Sequence, residues 1–224
     1  MTLQLRACRA VAVGLLSMSA ACEQHTSTAT SKVMGNIEVG AGERPGDVST
    51  VNGSIRIREN AVVATAHTVN GNISLDPRAS AAELKTVNGS IELAPGARVS
   101  REVLTVNGGL SLADGADVAG QLRNVNGPIR VGAAHVGAGI DTVSGGIELG
   151  PDAQVDGGIH VHKDNSVLSW SSSHVPRVVV GPGSRVGGTL NFERKVLLYV
   201  SDKATIGPVE GATVTKYSGE RPPE

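Results

Sequence analysis

Thr-Val-Asn-Gly returns along this chain too evenly for an ordinary globular fold. Val51-Asn52-Gly53 recurs as Val69-Asn70-Gly71, Val87-Asn88-Gly89, Val106-Asn107-Gly108 and Val125-Asn126-Gly127, then degenerates to Val143-Ser144-Gly145, at intervals of 18 or 19 residues. Self-similarity at a fixed short period is the mark of a chain that stacks equal units. Two residues after each glycine comes an apolar pair split by a polar residue: Ile55/Ile57, Ile73/Leu75, Ile91/Leu93, Leu110/Leu112, Ile129/Val131 and Ile147/Leu149. Alternation of period two predicts a short strand with one buried face. A third apolar position falls three residues before each turn valine, at Val48, Ala66, Leu84, Val103, Leu122 and Ile140. Bends such as Ala94-Pro95-Gly96 and Ala113-Asp114-Gly115 lead into further segments ending at Val99 and Val118. Each unit therefore supplies about three inward-facing segments joined by bends, which is one rung of a coil.

The template persists where Asn-Gly is lost, since residues 147–155 align with 178–186 and 198–206, and an early copy starts at Ile37. The expected fold is all-β, a parallel β-helix (β-solenoid) of about nine rungs of 18–20 residues, starting at 37, 55, 73, 91, 110, 129, 147, 178 and 198. At ~4.8 Å per rung it would form a rod roughly 40 Å long. Composition agrees, because aromatic residues are only 2% of the chain and glycines number 29. A core of stacked aliphatic layers suits that content better than one of interlocked rings.

In such a coil each residue lies over its counterpart one rung earlier, so a column of asparagines can bond amide to amide. Asn52, Asn70, Asn88, Asn107 and Asn126 are expected to form this ladder at an inward or bridging corner. Asn tolerates the left-handed conformation and Gly supplies positive φ, so the pair is also expected to turn the chain. The Thr column (Thr50, Thr68, Thr86, Thr105, Asn124, Thr142) adds β-branched stacking. Ice binding is the functional alternative for this stripe, but it needs two parallel Thr columns, and here a single Thr stands beside Val.

The opening residues read as an export signal: Arg6 and Arg9, an apolar stretch from Ala10 to Leu16, then small residues. The stretch is too short to span a bilayer as a helix. Ser19-Ala20-Ala21 before Cys22 resembles the lipobox of bacterial lipoproteins, which implies lipidation of Cys22; Ser19 stands where that motif has Leu. Removal of the signal leaves Cys22 as the only cysteine, so a disulfide role does not explain it. The expected organisation is a signal peptide over 1–21, a flexible tether over 22–32, a solenoid over 33–212 with a loop inserted near 160–175, and a tail over 213–224.

The units TVNGSIEL and VGPGSRVGGTL resemble the repeats of bactofilin-type polymer-forming β-helices and of adhesin-like bacterial repeat domains. The resemblance covers roughly residues 33 to 212 and implies a right-handed coil, a structural or adhesin-like role and no catalytic residues. Bactofilins are usually cytosolic and assemble end to end; the export signal departs from that pattern and favours a protein of the cell envelope, in the periplasm or on the outer membrane, or else a secreted one.

With 20 basic and 21 acidic side chains, nothing favours nucleic acid as a partner. The expected partners are the membrane through the lipid, a glycan or protein, and a second copy at the solenoid ends. No enzyme activity, cofactor or metal is expected. The outward column Glu38, Arg56, Ser74, Glu92, Ser111, Arg130, Glu148 mixes signs, and Asp117 and Asp156, two rungs apart, are not expected to meet. The rhythm breaks once, between 147 and 178, by about 12 residues. Insertions leave a solenoid as loops where binding concentrates. This one supplies the candidate binding residues His160, His162, Trp170 and His174. His160 and His162 share a strand face, and closure by His174 would make only a weak metal constellation, against the plainer reading of an exposed strand face. The alternative function is thus a carbohydrate-binding or carbohydrate-active β-helix using this loop. His67 and His135 read as scattered surface residues.

Overall fold

The computed structural model describes residues 29–163 and 175–222. Every regular element among them is a strand, every pairing is parallel, and the chain winds as a β-solenoid of about ten turns. Each turn has three faces. The first is a sheet of ten strands from Ile37–Val39 to Val214–Tyr217. The second is built of short segments such as Arg98–Val99, Asp117–Val118 and His135–Val136. The third carries the Asn column, as in Val48–Asn52 and Val103–Asn107. In Val62–Asn70 and Ser80–Asn88 the second and third faces merge into one nine-residue strand. The nine expected rung starts all fall on the first face, and Val214 adds a tenth. The strands also run past the expected limits: Thr30–Met34 pairs with Val48–Asn52, and the last strand buries Tyr217, whose hydroxyl donates to the Val180 carbonyl at 3.3 Å.

Register explains the core. Ile55, Ile73, Ile91, Leu110, Ile129 and Ile147 lie one above another, each at most 1% exposed, with Ile57, Leu75 and Leu93 in the next column. Ala61, Ala79, Ala97 and Ala116 fill the bend, where a larger side chain would crowd the narrow coil. The outward columns fix the same register from outside. Along the first face Glu38, Arg56, Ser74, Glu92, Ser111, Arg130 and Glu148 never place like charges on neighbouring rungs. Ion pairs between rungs include Arg58 with Glu38 at 2.8 Å and Arg56 with Asp76 at 3.1 Å at the edge of this face, and Lys85 with Glu102 at 2.8 Å on the third. Exposed pairs of this kind contribute at most ~1 kcal/mol each, so their main effect is to oppose a slipped register.

The Thr-Val-Asn-Gly corner works differently from the sequence expectation. The Asn ladder forms, with Nδ2 of Asn70, Asn88, Asn107 and Asn126 each donating to Oδ1 one rung earlier at 2.8–3.0 Å. It lies on the exposed outside of the corner, however, not facing in. The Thr side chains point inward, and their hydroxyls donate to the carbonyl of the turn glycine one rung earlier: Thr68 to Gly53 at 2.8 Å, Thr86 to Gly71 at 3.0 Å, Thr105 to Gly89 at 2.9 Å. None of the ladder asparagines has positive φ. The glycines after them supply it in part, as expected, with φ 125° at Gly127 and near 159° at Gly53 and Gly108, while the bend after the first face is left-handed throughout, Gly42, Asn60, Arg78, Gly96, Gly115, Asp152 and Gly183 sharing φ between 58° and 74°. A further column went unforeseen: Asn36 and Asn72 accept, through Oδ1, the backbone N–H of Ser54 and Ser90 at 2.8 Å, and Ser54 and Ser90 do the same for Asn72 and Gly109 through Oγ.

Asn124 shows what the Thr column requires. Its Nδ2 donates to the Gly108 and Gly127 carbonyls at 3.1 and 2.7 Å, but its buried Oδ1 finds no hydrogen-bond partner among the described residues. A buried acceptor left unmatched costs ~1–3 kcal/mol. Asn124→Thr is therefore expected to raise stability by about 1 kcal/mol, read as a higher urea midpoint with unchanged slope.

Candidate functional site

The insertion falls in sequence between the third-face strand Gly158–Val161 and the first-face strand Arg177–Val180, where earlier rungs have the Asn-Gly corner. Trp170 and His174 lie outside the described residues. His160 and His162 stand at the base of the insertion.

In Gly158–Val161 the inward positions are Ile159 and Val161, so His160 points out, and His162, one residue past the strand, occupies the outward column that the turn valines hold in earlier rungs. The two rings face each other with centroids 3.8 Å apart and planes tilted by 33°. Asp141 sits in register with His160 one rung earlier. Glu193 follows Phe192, the register partner of Val161, and so lies one rung later. His160 Nε2 is 2.9 Å from Glu193 Oε1, and His162 Nε2 is 3.9 Å from Asp141 Oδ1. Asp141 Oδ2 accepts from Gln121 Nε2 at 2.6 Å, and Glu193 Oε2 accepts the Lys163 backbone N–H at 3.1 Å. That N–H, and then His160, hold the Glu193 carboxyl below the usual range. Ligand atoms of Asp141, His160 and His162 all lie within 4.8 Å of one another. The sequence reading found the two histidines and missed both carboxylates. The signal available was column arithmetic, since Asp141 precedes His160 by one repeat of 19.

Arg194 secures the rung that the insertion interrupts. Its Nη1 reaches back past that rung to the Val143 carbonyl at 3.0 Å and Ser144 Oγ at 3.4 Å. Along the first face an open cavity of about 350 Å³ is lined by Pro128, Arg130, Glu148, Arg177, Arg221 and Pro222. Arg177 also lies over the Tyr199 ring, 4.9 Å from its centroid.

His135 is not a scattered surface residue. Its Nδ1 lies 2.6 Å from Asp117 Oδ1 and its Nε2 3.0 Å from Asp156 Oδ2, so carboxylates from the rungs on either side meet on one imidazole. The hydrogen bond to Asp117 first, and that to Asp156 second, raise its pKa above the usual 6.5. A pKa raised on folding adds stability that is fully present below the unfolded value of ~6.5 and is lost as pH climbs through the folded value. Wild type should therefore exceed His135→Gln in stability by more at pH 6 than at pH 8.5. Because the site is over one-third exposed, the difference should stay under ~1 kcal/mol. Paired urea titrations at the two pH values check this.

Compared with protein-family models, with curated proteins and with solved structures, the chain finds no match.

Proposed function

We propose that this protein is a non-enzymatic, exported β-solenoid, held at the bacterial cell envelope by a lipid on Cys22 and serving there as a structural or adhesin-like element related to the bactofilin and adhesin-type repeats. The observation that carries the reading is the parallel stacking of the described residues from Thr30 to Tyr217, rung upon rung on both sides of the insertion, which makes them one rod with charge-paired flanks. Thr30 follows Cys22 by eight residues, a reach of at most ~29 Å. The rod would thus stand with its N-terminal rung next to the membrane and its flanks free. Fractionation of cells expressing the full chain tests the anchor: wild type should sediment with membranes and Cys22→Ser should be released. If both forms fractionate alike, the anchored reading fails.

The Arg-rich cavity along the first face favours a second reading, a carbohydrate-binding β-helix that takes acidic glycans through the 160–175 loop. Glycan-array binding that disappears in both Trp170→Ala and Arg130→Ala would support it over the scaffold. Binding indifferent to both would remove it.

A further inference from the structure

We propose that Asp141, His160 and His162 form a divalent transition-metal site, with zinc the best fit to its donors, which joins two consecutive rungs at the base of the insertion, with Glu193 of the next rung bonded to His160. Two imidazoles and one carboxylate, leaving a fourth position for water, are a borderline donor set: they suit zinc or its neighbours, whereas calcium and magnesium prefer oxygen alone.

The geometry is close to what such an ion needs. Ligand atoms bonded to zinc at ~2.0–2.1 Å in a tetrahedron lie about 3.3 Å from one another. His162 Nε2 and Asp141 Oδ1, 3.9 Å apart, are too distant for a hydrogen bond but need only a small side-chain rotation to share an ion. His160 Nε2 lies at hydrogen-bond distance, 2.9 Å, from Glu193 Oε1, which fixes that ring from the next rung. The three atoms within 4.8 Å of one another come from side chains on fixed strands and their immediate continuation.

The surroundings strengthen the assignment. Each carboxylate has one oxygen tied to a donor and the other turned to an imidazole: Gln121 holds Asp141 Oδ2, and the Lys163 N–H holds Glu193 Oε2. This is how outer groups orient metal ligands. The His162 backbone is itself fixed, its N–H donating to the Thr142 carbonyl at 2.8 Å. The three side chains are between 23% and 40% exposed, so an ion can reach them from solvent. The position also gives the ion a task, because Asp141 and the histidine pair belong to successive rungs where the Asn ladder has ended.

Zinc titrated calorimetrically into the chelator-treated full chain is expected to bind one-to-one, to raise the thermal midpoint where magnesium does not, and to be replaced by cobalt(II) with the visible bands of tetrahedral coordination. Asp141→Asn and His162→Gln, both partly exposed positions that should fold normally, are expected to weaken binding by at least tenfold. Gln121→Ala, which leaves all three ligands in place, should weaken it by ~10-fold through loss of orientation. Cys22→Ser and His174→Ala should leave the affinity unchanged. Absence of zinc binding, or binding that survives both Asp141→Asn and His162→Gln, or binding lost in Cys22→Ser, would overturn the proposal.

Discussion

Replacing Gly89 with valine is expected to prevent the central rungs from stacking and to cost at least ~4 kcal/mol, among the largest losses a single substitution causes. A Cβ at Gly89 would lie 1.9 Å from the Gly71 carbonyl oxygen and 2.5 Å from its carbon. Neither atom can give way, because both are backbone and that oxygen accepts the Thr86 hydroxyl. The same approach recurs at Gly53, Gly71, Gly108 and Gly145, each with a preceding glycine oxygen within 2.2 Å of its would-be Cβ. Rungs pushed apart here would lose the Thr86 clamp, the Asn88–Asn70 bond and the Gly71 N–H to Asn88 carbonyl bond together. Circular dichroism and urea unfolding would register this as lost strand signal or a much lower midpoint. Gly96→Asn is the informative contrast. There φ is +72°, the nearest atom to a Cβ is a side-chain carbon at 3.6 Å, and Asn60 already holds the equivalent position. That change should cost no more than ~1 kcal/mol.

Leu84→Ala should lower stability by ~2–5 kcal/mol, with the cavity it leaves adding to the lost transfer energy. Leu84 is fully buried and stacks between Ala66 and Val103. Ala66 below it is already small, so the truncation would join two alanines in adjacent layers of a thin core. In a stacked array each rung touches only its neighbours, so repacking cannot be shared across a large interior. Leu104, one residue from the next member of the column, points outward and is half-buried. Leu104→Ala should change the urea midpoint little, and equal losses at the two positions would contradict the inward and outward assignment.

The coil was legible because its signal is doubly periodic. Alternation placed Ile55 and Ile57 inward, and the 18-residue repeat placed Ile73 over Ile55, so local and long-range patterns demanded the same arrangement. The corner chemistry was legible only in part. Asn-Gly commonly marks a left-handed turn, and that association hid the real constraint at Gly89, a close approach of backbone from the rung below that no single repeat contains. The left-handed column was legible as bends at Gly96 and Gly115, but it also passes through Arg78, a residue type that gives no such hint. At the histidine cluster, motif spacing found His160 and His162, which are neighbours in sequence. Asp141 and Glu193 reach them across rungs, and Glu193 does so across the insertion, so only alignment of the whole stack brings them together. His135 escaped for the same reason, since its partners Asp117 and Asp156 lie 18 and 21 residues away.

Distances between paired spin labels on the first face test the winding most directly. Glu38, Ser111 and Thr215 are exposed members of one outward column, with Ser111 four rungs and Thr215 nine rungs from Glu38. With cysteines at these positions and Cys8 and Cys22 changed to serine, the 38–111 pair should lie about 19 Å apart and the 38–215 pair about 43 Å, from ~4.8 Å per rung. A 38–215 separation no longer than the 38–111 separation would show that the chain does not climb one rung at a time, and the solenoid would be lost with it.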